Sequence, residues 1–325
     1  MARLNIVEAL NQALNQEMAI DPLLMILGED VGREGGVFRV TDGLQKKFGV
    51  ERVIDTPLAE SGIVGTAIGL AISGMHPVVE IQFEGFVYPA FDQIVNHLAR
   101  MRTRSRGRYS VKLVIRFPYS GGIHAPEHHS DSNEAIFVHT PGIKVVIPSS
   151  PYDAKGLLIS AIRDPDPVIF MEPKRIYRAV KMEVPDEYYL VPIGKGKIVK
   201  EGKDCTVIGY GAMIKVILEA AEKLNEDGID IEIVDLRTLS PLDKEIFISS
   251  VKKTKRCVIV HEAPRTCGIG SEISAILMEE AFLYLEAPVE RVTGFDVVMP
   301  LAKGEHFYLP DTVRVVGAVK KTISF

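Results

Sequence analysis

The chain has 325 residues, 46% apolar and 25% charged, the balance of an ordinary globular protein with length for about two domains; no apolar run reaches the roughly 18–20 residues that span a bilayer. A net charge of -5 gives no basic footprint for nucleic acid, and the cluster Arg100, Arg102, Arg104, Arg106 and Arg108 reads as a solvated helix end and loop. Cys205, Cys257 and Cys267 offer neither a local thiolate metal cluster nor a disulfide framework, and with no apolar signal core at the N-terminus a reducing, cytoplasmic setting is expected.

Apolar residues at helical spacing predict an amphipathic helix over Asn5 to Glu17, stopped by Pro22. Leu23 to Leu27 reads as a buried strand ending in Gly28-Glu29-Asp30, followed by a loop with three glycines from Gly32 to Gly36. Val53 and Ile54 close a second strand, Pro57 forces an extended turn, and a helix begins near Glu60 with Gly62, Gly65 and Gly69 at helical spacing. Val78 to Phe83 is the next expected strand and Phe91 to Met101 the next helix. Leu113 to Phe117 is a strand, and the loop from Pro118 to Ser132 holds three of the chain's eight histidines, His124, His128 and His129. Strand Val145 to Ile147, helix Asp153 to Ile162 and strand Val168 to Met171 complete a first unit. Strands alternating with helices of this length argue for a parallel sheet covered on both faces.

Between Glu172 and Pro192 the alternation lapses into charged and proline-containing sequence, read as a connector. Beyond it come strand Thr206 to Ile208, helix Ile214 to Leu224, strand Ile229 to Val234, a helix near Leu242 to Val251, strand Cys257 to Val260, helix Ser271 to Leu285 and strand Val289 to Val292. This is a second, smaller α/β unit. The turns Gly209-Tyr210-Gly211-Ala212 and Gly268-Ile269-Gly270-Ser271 are more readily tight connections than phosphate sites.

Three features carry chemical interest. Glu60 stands in the first turn of the glycine helix, where a carboxylate either serves a cleft or merely complements the helix dipole. An aromatic turn holds Phe83 and Phe86. The histidine loop suits proton transfer or substrate orientation better than metal binding, because adjacent side chains such as Glu127, His128 and His129 rarely point at one ion. A histidine bonded within its own loop explains the pattern equally well. The sequence has no nucleophile elbow, P-loop or helical zinc motif, so the cleft lacks its chemistry and needs a cofactor, a partner chain or both.

A series of ordered blocks matches a known family: Leu27-Gly28-Glu29-Asp30-Val31-Gly32, Asp55-Thr56-Pro57-Leu58-Ala59-Glu60, Glu80-Ile81-Gln82-Phe83, Phe91-Asp92-Gln93-Ile94, His129-Ser130, Pro141-Gly142-Ile143-Lys144-Val145-Val146, Asp153-Ala154-Lys155-Gly156-Leu157-Leu158 and Val234-Asp235-Leu236-Arg237-Thr238. Over nearly its full length the chain resembles the beta subunits of thiamine diphosphate-dependent 2-oxo acid dehydrogenases. The resemblance implies an α/β protein of two domains: a transketolase-like pyrimidine-binding domain with a parallel sheet over residues 1–185, connector included, and a transketolase C-terminal-like α/β domain over residues 186–325.

It further implies that Glu60 hydrogen-bonds the pyrimidine ring nitrogen of thiamine diphosphate, that Phe86 and Gln82 line the cofactor, and that His129 serves the intermediate and acyl transfer to a lipoyl arm. Mg²⁺ and the diphosphate fall to the alpha subunit, since no Gly-Asp-Gly occurs here. Leu113, Val114, Ala161, Asp164 and Asp166 match a potassium-binding loop, with Asp166 in place of an asparagine common in relatives. The expected assembly is an α2β2 heterotetramer docked on a lipoylated acyltransferase core, without nucleic-acid or membrane partners. Glu172-Pro173-Lys174, Tyr177-Arg178 and His261-Glu262-Ala263-Pro264 look closer to the branched-chain type than to the pyruvate type, which is the alternative; a non-catalytic scaffold with the same fold is a third reading.

Overall fold

The computed structural model describes residues 1–325. Strand β1 (Ala2–Leu4) leads into helix α1 (Ile6–Ile20), whose start is fixed by a capping box: the Asn5 side chain accepts the Glu8 N–H while the Glu8 carboxylate accepts that of Asn5. Then follow β2 (Leu24–Gly28), α2 (Leu44–Phe48), β3 (Val53–Asp55), α3 (Glu60–Ile72), β4 (His76–Glu80), α4 (Met101–Arg104), β5 (Val114–Tyr119), α5 (Glu134–Val138), β6 (Lys144–Val146), α6 (Pro151–Arg163), β7 (Val168–Pro173) and β8 (Met182–Val184). The second half contributes β9 (Lys197–Lys200), β10 (Cys205–Gly209), α7 (Met213–Glu226), β11 (Ile231–Asp235), β12 (Thr238–Ser240), α8 (Lys244–Thr254), β13 (Cys257–Val260), α9 (Ile269–Glu280), β14 (Glu290–Val292), α10 (Glu305–Tyr308) and α11 (Thr312–Ile323).

The principal sheet has seven strands in the order β12-β6-β7-β5-β4-β2-β3, and every pairing but β12 with β6 is parallel. A second sheet runs β14-β13-β10-β11-β9, with only β9 antiparallel. Both match the expected α/β architecture. Helices α1 and α6 pack together over one face of the first sheet, and α3 lies against the β4 side of the other.

Several expected elements differ. The helix predicted from Phe91 to Met101 is present but irregular, a π-helical turn over Gln93–Leu98 leading to the short α4, and it is preceded by a 3-10 segment over Glu84–Ala90 that contains Pro89, which cannot donate to a regular ladder. The strand expected to reach Phe83 ends at Glu80, leaving Gln82 and Phe83 free of it. Helix α9 stops at Glu280, short of the predicted Leu285. The stretch read as a connector begins inside the core, for Glu172 and Lys174 are fully or nearly fully buried. Their charges are matched: both Glu172 oxygens receive the Arg116 guanidinium at 2.6 and 2.8 Å, and Lys174 donates to Glu84 at 2.8 Å. Beyond it, β8 returns to pair with β1, and Lys155 holds the carbonyls of Pro185 and Glu187 at 2.6 and 3.0 Å.

The two halves do not bury separate cores. The 43-residue apolar cluster on one face includes Leu10, Leu14 and Phe170 together with Val207, Ile217 and Val260. Its 40-residue counterpart includes Ile63, Ile115 and Phe137 with Ile208, Val234 and Phe247.

Candidate active site at the strand ends

In an open parallel sheet the ends of adjacent strands leave unpaired loops that converge on a crevice. Register places Gly28, Asp55 and Glu80 side by side, with Arg116 beyond Glu80, so the segments following β2, β3, β4 and β5 leave from one edge. Glu29, Glu60, Gln82, Phe83, Phe86 and His129 all lie on those four segments. The edge itself is braced by a buried ionic network: Arg116 on β5 reaches Glu80 on β4 and Glu172 on β7, and the Tyr177 hydroxyl donates to Glu172.

Glu60 is the first residue of α3 and is 8% exposed. The turn before it is held by Asp55, whose carboxylate accepts the Gly32 and Arg33 N–H groups at 2.6 and 3.1 Å, and by Thr56 N–H donating to Gly28 O at 3.0 Å. Glu29, also buried, has its carboxyl raised by burial and then by the charge of Glu60. Glu29 stands directly past a strand end, a pattern common at the clefts of open sheets and equally common in solvated loops. Gln82 donates to the exposed Asp30 at 3.2 Å and so joins the β4 segment to the β2 segment.

His129 is half-buried between two rings, with its centroid 4.3 Å from Phe83 and 5.0 Å from Phe86. Its Nδ1 lies 2.7 Å from the Glu127 carbonyl, an acceptor only, so Nδ1 carries the proton and the Nε2 lone pair is left available. The loop is seated on the 3-10 segment: a Cβ at Gly85 would lie 2.2 Å from the His128 carbonyl oxygen. Beneath this contact lies the buried Glu84–Lys174 pair, in which burial pushes the Glu84 carboxyl up to about 8 and pulls the Lys174 ammonium down. Next to the same floor, Glu134 accepts the Tyr210 hydroxyl at 2.6 Å and is raised to about 7, first by burial. His128 and His124 are exposed, and the five arginines from Arg100 to Arg108 are solvated, as expected.

The two glycine turns of the second half are packing devices. A Cβ at Gly211 would meet the Tyr119 hydroxyl at 2.3 Å, and Cβ atoms at Gly268 and Gly270 would crowd the buried His261 ring at 2.8 and 2.9 Å. A broad surface groove lined by Phe91, Val95, Arg100, Ile136, His139 and Cys267 among others includes none of the strand-end residues above.

The family model described as "Transketolase, pyrimidine binding domain" matches residues 2–180, and "Transketolase, C-terminal domain" matches residues 194–315. A protein of Acholeplasma laidlawii named "Pyruvate dehydrogenase E1 component subunit beta" is 52% identical over 99% of this chain and 98% of its own length. Proteins of the same name from Staphylococcus epidermidis and Staphylococcus aureus are 50% identical over the full length of both chains. The chain belongs to the E1 beta-subunit family of 2-oxo acid dehydrogenases. A solved "Split gene transketolase, inactive beta4 tetramer" shares this fold, with a TM-score of 0.81 and 25% identity over 99% of each chain.

Membership brings thiamine diphosphate dependence, an alpha-subunit partner and a place in a multienzyme complex. The site of this E1 beta chain fits one end of that cofactor. A buried carboxylate beside a second, raised carboxyl can share a proton with a ring nitrogen, and two phenyl rings offer a face to an aromatic heterocycle. No group of three or more His, Cys, Asp or Glu side chains is arranged to hold a metal ion. At the five positions matched to potassium, the carboxylates are engaged internally: Lys144 binds both Asp164 oxygens at 2.7 and 2.6 Å, and Arg102 binds Asp166 at 2.6 Å. The Leu113 and Ala161 carbonyls each accept one backbone N–H, at 3.0 and 3.3 Å, and Val114 lies in β5. No helix is long and apolar enough to cross a membrane.

Proposed function

We propose that this chain is the beta subunit of a pyruvate-decarboxylating E1 component, with Glu60, Gln82, Phe86 and His129 forming its half of the active site. The observation that carries the reading is Glu60: a buried carboxylate at the strand-end edge, near the buried Glu29 and on the same edge as the His129–Phe83–Phe86 cluster. The names of relatives about half identical along the whole chain favour pyruvate over the branched-chain acids suggested by local sequence. Of those local residues, Glu172 and Tyr177 belong to the Arg116 network that braces the edge and Lys174 lies over the Phe83 ring and binds Glu84, structural contacts that make them weak discriminators of substrate.

Thiamine diphosphate, when bound, supplies the electron sink that decarboxylation of a 2-oxo acid requires. Glu60 would hold a proton at the pyrimidine ring nitrogen, a task for which a carboxyl kept out of bulk water is suited. Phe86, with Gln82 beside it, would orient the ring and limit water access. His129 would use its free Nε2 to accept or return a proton during acyl transfer to a lipoyl group. Mg²⁺ and the diphosphate belong to the alpha chain on this reading. A potassium ion would draw on the Leu113 and Ala161 carbonyls, since Lys144 and Arg102 already neutralise Asp164 and Asp166. The C-terminal half would pair beta with beta in an α2β2 tetramer and dock the acyltransferase.

The test is to assay this chain alone and mixed with its alpha chain, with thiamine diphosphate and Mg²⁺, on pyruvate and on 3-methyl-2-oxobutanoate. Turnover of pyruvate only in the mixture, lost by more than about 100-fold in Glu60→Gln, is the expected result. Preference for the branched acid would restore the other substrate reading, and full activity of Glu60→Gln would leave the chain a scaffold.

A further inference from the structure

Packing against Gly85, Phe83 and Phe86 seats the far arm of the loop that carries His129, but few hydrogen bonds tie the loop to its own half of the chain. Ser120 N–H donates to Asp131 O at 2.9 Å and His129 N–H to Pro126 O at 3.3 Å, closing its base and its far arm. Between them, the polar contacts of the tip lead to the second half. Gly121 N–H donates to Glu262 at 3.2 Å, Gly122 N–H donates to Glu305, and His124 N–H donates to Glu305 at 2.8 Å. The His124 ring is also there, with Nδ1 3.0 Å from the Glu305 carboxylate and 3.1 Å from the Ala302 carbonyl.

Glu305 opens α10 and is 2% exposed, which is unusual for a carboxylate with no lysine or arginine paired to it. Backbone N–H groups replace the lost hydration, as a buried anion demands. The loop also needs such a partner. Ser120, Gly122, His124 and His128 all have left-handed backbones, with φ of 72, 98, 55 and 65°. For non-glycine residues that conformation costs roughly 1–3 kcal/mol each and persists only where the surroundings over-determine it. Space is tight as well, because a Cβ at Gly121 would lie 2.7 Å from a Glu305 oxygen.

We infer that Glu305 is a positioning residue for the E1 reaction: from the C-terminal half it fixes the tip of the histidine loop, and so places His129 between Phe83 and Phe86. The consequence for catalysis rests on the role given to His129 above; the anchoring itself does not. Glu305→Gln keeps the shape but puts an amide N–H₂ against backbone donors, so one of the two N–H groups loses its acceptor. The variant is compared with wild type after assembly with the alpha chain. One measurement is amide hydrogen exchange of the peptide covering residues 119–132. The others are acyl transfer to a lipoylated domain and decarboxylation reported by an artificial electron acceptor.

Faster exchange of that peptide, with acyl transfer reduced about 10- to 100-fold and decarboxylation kept within about 3-fold, is the expected outcome. Unchanged exchange overturns the inference. Faster exchange with unchanged acyl transfer supports the anchor and removes His129 from the transfer step. Should the Gln variant fail to assemble, Glu305→Asp, which keeps the charge on a shorter arm, carries the same test with the same two opposing results.

Discussion

Gly85→Ala is the most direct probe of how the histidine loop is seated. Gly85 lies in the 3-10 segment with a backbone that alanine can adopt, so the substitution acts through the added methyl alone. That methyl would stand 2.2 Å from the His128 carbonyl oxygen and 2.8 Å from the His128 Cβ. Carbon reaches comfortable contact only at about 3.5 Å, so the loop must retreat by roughly 1 Å. A displacement of that size costs on the order of 10²-fold when it falls on a reacting group, while overpacking costs about 1–3 kcal/mol of stability. The assay is single-turnover transfer of the acyl group from the assembled enzyme to a lipoylated domain, with decarboxylation followed separately. Transfer at the wild-type rate, in a variant whose 119–132 peptide exchanges normally, would refute the argument that this contact places His129.

Two further outcomes follow from the buried charges. Arg116→Met leaves Glu80 and Glu172 buried without their cation, and urea denaturation should register a loss of about 3–5 kcal/mol. Glu134→Gln should change the pH dependence of stability. The Glu134 carboxyl is raised from 4.5 to about 7, so its contribution is fully present below 4.5 and is lost as pH rises through 7. Relative to the Gln variant, the wild type should lose about 3 kcal/mol between pH 4.5 and pH 8, read from denaturation midpoints across that range. His261, lowered to about 4 by burial, tilts the wild-type curve the opposite way below pH 6.5, and the difference between the two proteins removes it. A flat difference would mean that Glu134 is hydrated.

Local pattern was enough for the parallel sheet, because its strands are short apolar runs separated by amphipathic helices. It also singled out Glu60 as a candidate, because it follows a strand and a proline and opens a helix with glycines at 62, 65 and 69. What it missed is non-local. Glu172 and Lys174 look like surface charges until Arg116 and Glu84 are brought beside them. Glu305 is 181 residues from His124, so no window of sequence contains the contact. Strand β12 is three residues long and follows a left-handed Arg237, too short for any periodicity to reveal. The 3-10 segment after Phe83 was legible in principle, since Pro89 stands inside it, whereas nothing local marks the π-helical turn over Gln93–Leu98.

Strand β12 alters what the boundary between the halves means. Immediately after β11 leaves the second sheet, the chain crosses over, Ile147 N–H bonds the Arg237 carbonyl at 2.8 Å, and Arg237 clasps Asp153 at 3.0 Å before β12 closes the free edge of β6. A break in the peptide chain near residue 190 would therefore leave two fragments that still need each other. The first would carry an open strand edge prone to pairing with other chains, and the second a stray strand with nowhere to go. Co-expressed from two shorter reading frames, they should reassemble as one folding unit rather than as two freestanding domains, and a gene split at this point would be tolerated only with both pieces in the same cell.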